Sequence, residues 1–295
     1  MYIAGIDGGG THTRIEIRDA DNNFVRRGEF GPCNLNAIGE DAFRSLLVEI
    51  FRFCGDMTQV SGLCFGTAGV SNPEVSRILE EELKNTGFEG ALYLCGDQEI
   101  ALRGAMDSPG IVVIAGTGSI CFGKNAEGKT ARSGGYGHLI DDGGSGYALG
   151  RDVLSTAVRA VDGRGNSWGI LNEVYAKING CLPSDIVSFV YDKKTEKADI
   201  ARFAPIALRQ AELGDWEAWR ILARGADDLY EMVKAVQQRL DLRGCRIALL
   251  GGLLGEENPY RNAVAEKLTY LGTVVPANHD ALWGAAQIAF EQQKQ

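Results

Sequence analysis

Asp7-Gly8-Gly9-Gly10-Thr11-His12-Thr13 is the stretch from which the fold is read. Ile3 and Ile6 lie in a short apolar run before it. After it, Thr13, Ile15 and Ile17 alternate with Arg14, Glu16 and Arg18, the period-2 pattern of a half-buried strand. Residues 2–18 therefore read as strand, glycine turn, strand. Without Cβ atoms, successive backbone N–H groups of such a turn can point at one anion. Asp7 stands at the strand end just ahead of them, and a carboxylate beside a phosphate cradle suits a nucleotide carried with Mg²⁺. A plain glycine-rich hairpin turn is the competing reading. No Gly-Lys-Ser/Thr follows, and the next element is a strand rather than a helix, which excludes a P-loop.

Working outward, the same plan recurs. Residues 60–65 read as a buried strand running into Gly66-Thr67-Ala68-Gly69, residues 91–95 as one ending at Gly96-Asp97, and residues 111–115 as one running into Gly116-Thr117-Gly118-Ser119. Helices are predicted between them. Phe43, Leu46, Leu47, Ile50 and Phe51 share one helical face. A second helix opens at Ser71-Asn72-Pro73 with Val75, Ile78, Leu79 and Leu83 inward, and a third spans 98–106. Strands alternating with helices predict an α/β protein with a largely parallel sheet. Ligands of such sheets lie outside the carboxyl ends of the strands, where Asp7, Gly66, Asp97 and Thr117 all fall.

Beyond Ser119, residues 120–122 begin a strand. Two glycine loops follow, Ser133-Gly134-Gly135-Tyr136-Gly137 and Asp141-Asp142-Gly143-Gly144-Ser145-Gly146. Residues 147–242 read as mostly helical, with Trp219, Leu222, Ala226, Leu229, Val233, Val236 and Leu240 forming a core stripe. Then come a strand at 246–250, the pair Gly251-Gly252, a helix from Pro259 and a strand at 273–275. A last helix starts at Asp280, and its Ala281, Gly284, Ala285 and Ala286 permit close packing.

Composition narrows the function. The 295 residues are 45 % hydrophobic and 23 % charged, as in an ordinary globular enzyme, and fit one large or two ordinary domains. A net charge of −9 argues against a nucleic-acid or anionic-membrane partner. No apolar run reaches spanning length and no signal pattern opens the sequence, so a cytoplasmic protein is expected. The seven cysteines lack any Cys-x-x-Cys spacing and are expected as reduced core residues. His12, His138 and His279 share no metal-ligand spacing.

Asp7-Gly8-Gly9-Gly10-Thr11, Gly116-Thr117-Gly118-Ser119 and Gly251-Gly252 resemble the two phosphate motifs and the adenosine motif of the actin and hexokinase superfamily. Within it, the whole chain resembles the BadF/BadG/BcrA/BcrD ATPase family, most closely its N-acetylglucosamine kinase and bacterial glucosamine kinase members. The order and spacing of the motifs carry the resemblance, together with the Gly-Gly-Tyr-Gly and Asp-Gly-Gly-Ser-Gly loops between them. It implies two RNase H-like α/β domains around an ATP and sugar cleft that closes on substrates. The expected boundaries are 1–115 plus 280–295 for the first domain and 116–279 for the second.

The resemblance also implies site roles. Asp97 matches the catalytic aspartate. Asn34, Tyr136 and Asp142 match sugar-contacting positions, with Ser119, Gly135 and Gly146 beside them. Gly9, Gly10, Thr11, Gly116, Thr117 and Gly118 match the phosphate turns, Gly251 and Gly252 the adenosine turn, and Asp7 the acid near a metal. Two positions depart from the pattern. Tyr136 stands where the vertebrate N-acetylglucosamine kinase has tryptophan, and Asp141-Asp142-Gly143-Gly144 replaces Gly-Asp-Glu-Gly. From the residues alone, Asp97 is either a base or an N-cap, Asp142 a sugar contact or a turn residue, and Asn34 a sugar contact or an ordinary loop residue.

The implied activity is ATP- and Mg²⁺-dependent phosphorylation of the 6-hydroxyl of an amino sugar, whether N-acetylglucosamine, glucosamine or N-acetylmuramic acid. A homodimer is the expected oligomer where one forms. Two alternatives stand. The activase branch of the family drives a dehydratase or reductase through an iron–sulfur cluster, but it carries a cysteine ahead of its second Gly-Thr-Gly, where this chain has Ile111-Val112-Val113-Ile114-Ala115. A non-catalytic nucleotide or sugar sensor is the other, and the presence of Asp97 argues against it.

Overall fold

The structure is a computed structural model describing residues 1–107 and 109–293. It divides into two compact units, Met1–Ser108 with Ala277–Gln295, and Pro109–Pro276.

The first domain is built on strands β1 (Tyr2–Gly8), β2 (Thr13–Asp19), β3 (Phe24–Phe30), β4 (Val60–Thr67) and β5 (Ala91–Cys95), in the sheet order β3-β2-β1-β4-β5. Helices α1 (Leu35–Ile38) and α2 (Glu40–Cys54) join β3 to β4, α3 (Pro73–Lys84) joins β4 to β5, and α4 (Asp97–Ala105) follows β5. The predicted apolar faces are the observed ones. Phe43, Leu47 and Ile50 of α2 and Val75, Ile78 and Leu79 of α3 are buried in one core with Ile6, Ile15, Leu63 and Phe65. Asn72 caps α3, its side chain accepting the Glu74 N–H, with Pro73 at the first helical position.

The second domain repeats the topology. Its strands are β6 (Gly110–Ala115), β7 (Ser119–Lys124), β8 (Thr130–Gly134), β9 (Cys245–Leu250) and β10 (Gly272–Val275). Their order, β8-β7-β6-β9-β10, is that of the first sheet. Between β8 and β9 run α5 (Gly146–Val161), α6 (Trp168–Ile178), α7 (Pro183–Tyr191), α8 (Lys197–Ala201), α9 (Ala204–Glu212) and α10 (Trp216–Leu240), and α11 (Pro259–Leu268) joins β9 to β10. The α10 stripe of Leu222, Ala226, Leu229, Val233 and Val236 is fully buried against Val113, Cys121 and Leu149, whereas Trp219, expected in the same stripe, is exposed in the first turn of the helix.

After β10 the chain returns to the first domain as α12 (Ala281–Gln292). This helix lies against β1 and α4 at backbone distance. A Cβ on Gly5 would strike the Ala286 backbone, and one on Gly284 would strike the Ile100 carbonyl. The small residues seen in the sequence are what this approach requires.

Several expectations need correction. Each sheet is mixed: β1–β2 and β2–β3 are antiparallel, β1–β4 and β4–β5 parallel, and the second sheet follows suit. The edge strand β3 was not anticipated, because Phe24-Val25-Arg26-Arg27 is exposed throughout and has no apolar alternation. The residues 110–115, expected to close the first domain, hydrogen-bond to β7 and β9 and so form the central strand of the second sheet. All seven cysteines are free, but Cys181 is exposed and Cys245 half-buried rather than core. Among the described residues no helix is long and apolar enough to cross a membrane.

Candidate functional site

In the first domain the site follows from strand register. β1, β4 and β5 are parallel, with Asp7 opposite Gly66 and Gly66 opposite Cys95. Their carboxyl ends are therefore level, and everything that follows each strand emerges at one edge of the sheet. Past β1 comes the Gly9-Gly10-Thr11 turn, closed by the Gly9 N–H donating to the His12 carbonyl at 3.0 Å. Gly10 and Thr11 are exposed, and a Cβ on Gly10 would meet nothing within 4 Å, so the turn presents open backbone.

Asp7 is half-buried and paired. The antiparallel register sets Arg14 opposite it, and Arg14 Nη2 donates to Asp7 Oδ2 at 2.5 Å. Arg14 Nη1 also lies 3.7 Å from Asp280, the N-cap of α12. Arg14 was absent from the predicted site. Its signal was the β1–β2 hairpin itself, in which residues 7 and 14 face each other about a turn centred on Gly10-Thr11.

Asp97 lies two residues beyond Cys95 as the first residue of α4. The N-cap is Gly96, not Asp97, which overturns the cap reading in its simple form. From that first position Asp97 Oδ1 accepts the Gln98 N–H at 2.9 Å. Burial raises the Asp97 pKa above its ordinary 3.8; the Gln98 hydrogen bond opposes this, and the negative charge of Asp7 adds to it.

Asn34 caps the short helix α1, its Oδ1 accepting the Asn36 N–H at 3.1 Å. It sits beside the turn after β4, where a Cβ on Gly69 would lie 3.5 Å from Asn34 Oδ1. The preceding Cys33 donates its N–H to the Gly9 carbonyl at 3.0 Å, so the Asn34 loop is fastened directly to the glycine turn. Burial pushes the Cys33 thiol up to about 11, which leaves it protonated and inert.

In the second domain three loops converge. Ile114 of β6 pairs with Leu250 of β9, so the Gly116-Thr117-Gly118 and Gly251-Gly252 turns leave the sheet side by side. Gly251 has φ +90°, and a Cβ there would clash with the Ala115 carbonyl, so only glycine fits. The Asp142–Gly146 loop is stitched to the first of these turns: Gly146 N–H donates to the Gly116 carbonyl at 2.8 Å and Tyr147 N–H to the Thr117 carbonyl at 3.2 Å. Asp142 is buried in the left-handed conformation, φ 63°, and its Oδ1 accepts the Ser119 N–H at 3.3 Å. Gly116, Thr117, Gly118, Ser119, Asp142, Gly146 and Gly251 thus form one connected group. Gly252 is exposed beside it.

Gly135 and Tyr136 follow the end of β8, where Gly134 pairs with Ile120. Tyr136 is 59 % exposed and is not a core residue. The Arg132 guanidinium lies 4.9 Å from its ring centroid and occupies one face.

Comparison with known proteins bears on what these groups do. The family model of the BadF/BadG/BcrA/BcrD ATPase family matches residues 4–289. The chain belongs to that family. The N-acetylmuramic acid/N-acetylglucosamine kinase of Clostridium acetobutylicum is 31 % identical over 300 residues, 98 % of each chain. The N-acetyl-D-glucosamine kinase of Dictyostelium discoideum is 31 % identical over 255 residues, 81 % of this chain and 80 % of that one. A solved structure from Chromobacterium violaceum, provisionally named an N-acetylglucosamine kinase, superposes with a TM-score of 0.80 at 26 % identity and covers 98 % of both chains. The fold is therefore shared with that structure along nearly the full length of the chain.

Proposed function

We propose that this chain is an ATP-dependent kinase that transfers the γ-phosphoryl group to the 6-hydroxyl of an amino sugar, with Asp97 as the base. The observation that carries the reading is the level edge of the first sheet. It gathers an open glycine turn, the Asp7 carboxylate and the half-buried Asp97 with its raised pKa, in a chain whose full-length relatives are named as amino-sugar kinases.

Phosphoryl transfer asks little covalent chemistry of a protein; it needs positioning, charge stabilisation and a base for the attacking hydroxyl. The proposed phosphate contacts are the N–H and hydroxyl donors of Gly9, Gly10 and Thr11 and those of Gly116, Thr117 and Gly118, and Gly251-Gly252 is the proposed backbone for the nucleoside. A Cβ on Gly116, as on Gly10, would meet nothing within 4 Å, which fits a backbone offered to a ligand.

Among the described residues no three His, Cys, Asp or Glu side chains cluster to hold a metal. That fits Mg²⁺, which takes one or two carboxylates and completes its shell with phosphate oxygens and water. Asp7 would be the carboxylate, held in place by Arg14, and the ion would neutralise charge on the phosphates. Asn34, Asp142 and Tyr136 supply two polar side chains and an aromatic ring for the sugar, with Ser119, Gly135 and Gly146 shaping the loops around them. Asp97 accepts the proton of the 6-hydroxyl.

Coupled ADP release across N-acetylglucosamine, glucosamine, N-acetylmuramic acid and glucose tests this. A kcat/KM for at least one amino sugar far above that for glucose is expected, since unpaired polar groups in a site discriminate strongly. Glucose matching every amino sugar would overturn the substrate assignment.

A further inference from the structure

The Asp142–Gly146 loop holds its shape against the preference of its own backbone. Asp142 is a non-glycine residue at φ 63°, in the left-handed region that glycine enters without cost. Such a conformation persists when surrounding groups over-determine it. Two hydroxyls do so here. Ser119 Oγ donates to the Gly143 carbonyl at 2.7 Å, and Tyr260 Oη donates to the Gly144 carbonyl at 2.6 Å. Tyr260 is fully buried.

Its place in the chain is informative. Tyr260 is the second residue of α11, which begins just after the Gly251-Gly252 turn. Asn258, the cap of α11, donates from Nδ2 to the Leu253 carbonyl at 2.9 Å, and Leu253 N–H donates to the Ala115 carbonyl at 3.1 Å. A continuous set of hydrogen bonds therefore runs from the end of β6, through the turn after β9 and the start of α11, to the loop that carries Asp142.

We propose that Tyr260 is a positioning residue for sugar binding: its hydroxyl fixes the Gly144 peptide, and through it the Asp142 carboxylate. This rests on the sugar role proposed for Asp142. Without the hydroxyl, a buried carbonyl loses its partner, and the loop must rearrange to satisfy it.

The test uses Tyr260→Phe in the full chain, which keeps the ring and removes one oxygen. Calorimetric titration with N-acetylglucosamine should show a dissociation constant raised about tenfold, the consequence of roughly one lost buried hydrogen bond. Affinity for a non-hydrolysable ATP analogue should stay within about twofold. Amide exchange in peptides covering 141–147 should accelerate, and Ser119→Ala, which frees the neighbouring carbonyl, should accelerate the same peptides. Combining Tyr260→Phe with Asp142→Asn should cost less than the sum of the two, because both act on one contact. Sugar affinity within twofold of the parent, unchanged exchange, or additive losses would overturn the proposal. A parent chain that binds no amino sugar would instead refute the function proposed for the site, and the exchange comparison would still decide whether Tyr260 fixes the loop.

Discussion

Replacing Asp97 by Asn separates its possible roles. Asn is nearly isosteric and its side-chain oxygen can still accept the Gln98 N–H that Asp97 Oδ1 accepts at 2.9 Å. The helix start itself depends on Gly96, which the change leaves alone. Stability should therefore not fall. The sign is favourable as well: a carboxylate whose folded pKa is raised binds its proton more tightly in the folded than in the unfolded state, so its ionisation subtracts stability as pH rises through that window. Above that window the subtraction is fully present, and Asn removes it. We expect a melting temperature equal to or slightly above the parent's. Loss of the base should lower kcat by roughly 10²–10⁴, about 2.7–5.4 kcal/mol in the barrier. The assay is ADP release at saturating N-acetylglucosamine, with ATP-analogue affinity measured separately and expected within a few-fold of the parent. A variant that is folded yet turns over within tenfold of the parent would remove Asp97 from catalysis and leave only its hydrogen bond to the start of α4.

The pH profile provides a second check: with its pKa raised chiefly by burial, Asp97 should give kcat/KM an acidic limb centred above the ordinary aspartate value of 3.8, and Asp97→Asn should abolish that limb. Gly251→Ala forces a Cβ into the Ala115 carbonyl at φ +90°, so the turn must move; nucleotide affinity, read by titration with an ATP analogue, should fall at least about tenfold, and an unchanged affinity would exclude this turn from the nucleotide site.

Much of this was legible in the sequence because it is local. The turn at Gly8-Gly9-Gly10, the Asn72-Pro73 helix start and the small-residue face of α12 each follow from one residue type in one backbone role. What escaped depends on distant segments. Glu16 was placed on the polar face of β2 by period-2 alternation, yet its side chain is completely buried, held by Arg18 at 2.6 Å and by Arg27 at 2.6 Å. The packing of the C-terminal helix α12 on the first sheet encloses that face, and Asn22 hydrogen-bonds to Gln287 across it. Strand β3 escaped because an edge strand needs no apolar alternation. The assignment of β6 to the second sheet escaped because only its pairing with β9, more than a hundred residues later in the chain, decides it. In the candidate site, Asp97 was readable as a carboxylate at a strand end. That Gly96 takes the cap, and that a tyrosine from α11 braces the Asp142 loop, required the folded chain.

The most direct measurement of the central claim is phosphorus and proton NMR of the product formed from ATP, Mg²⁺ and N-acetylglucosamine. We predict one new phosphate monoester resonance coupled to the C6 methylene protons, appearing with ADP in equal amounts and nearly absent with Asp97→Asn. ATP consumed to inorganic phosphate with no sugar phosphate, across all three amino sugars, would contradict the account.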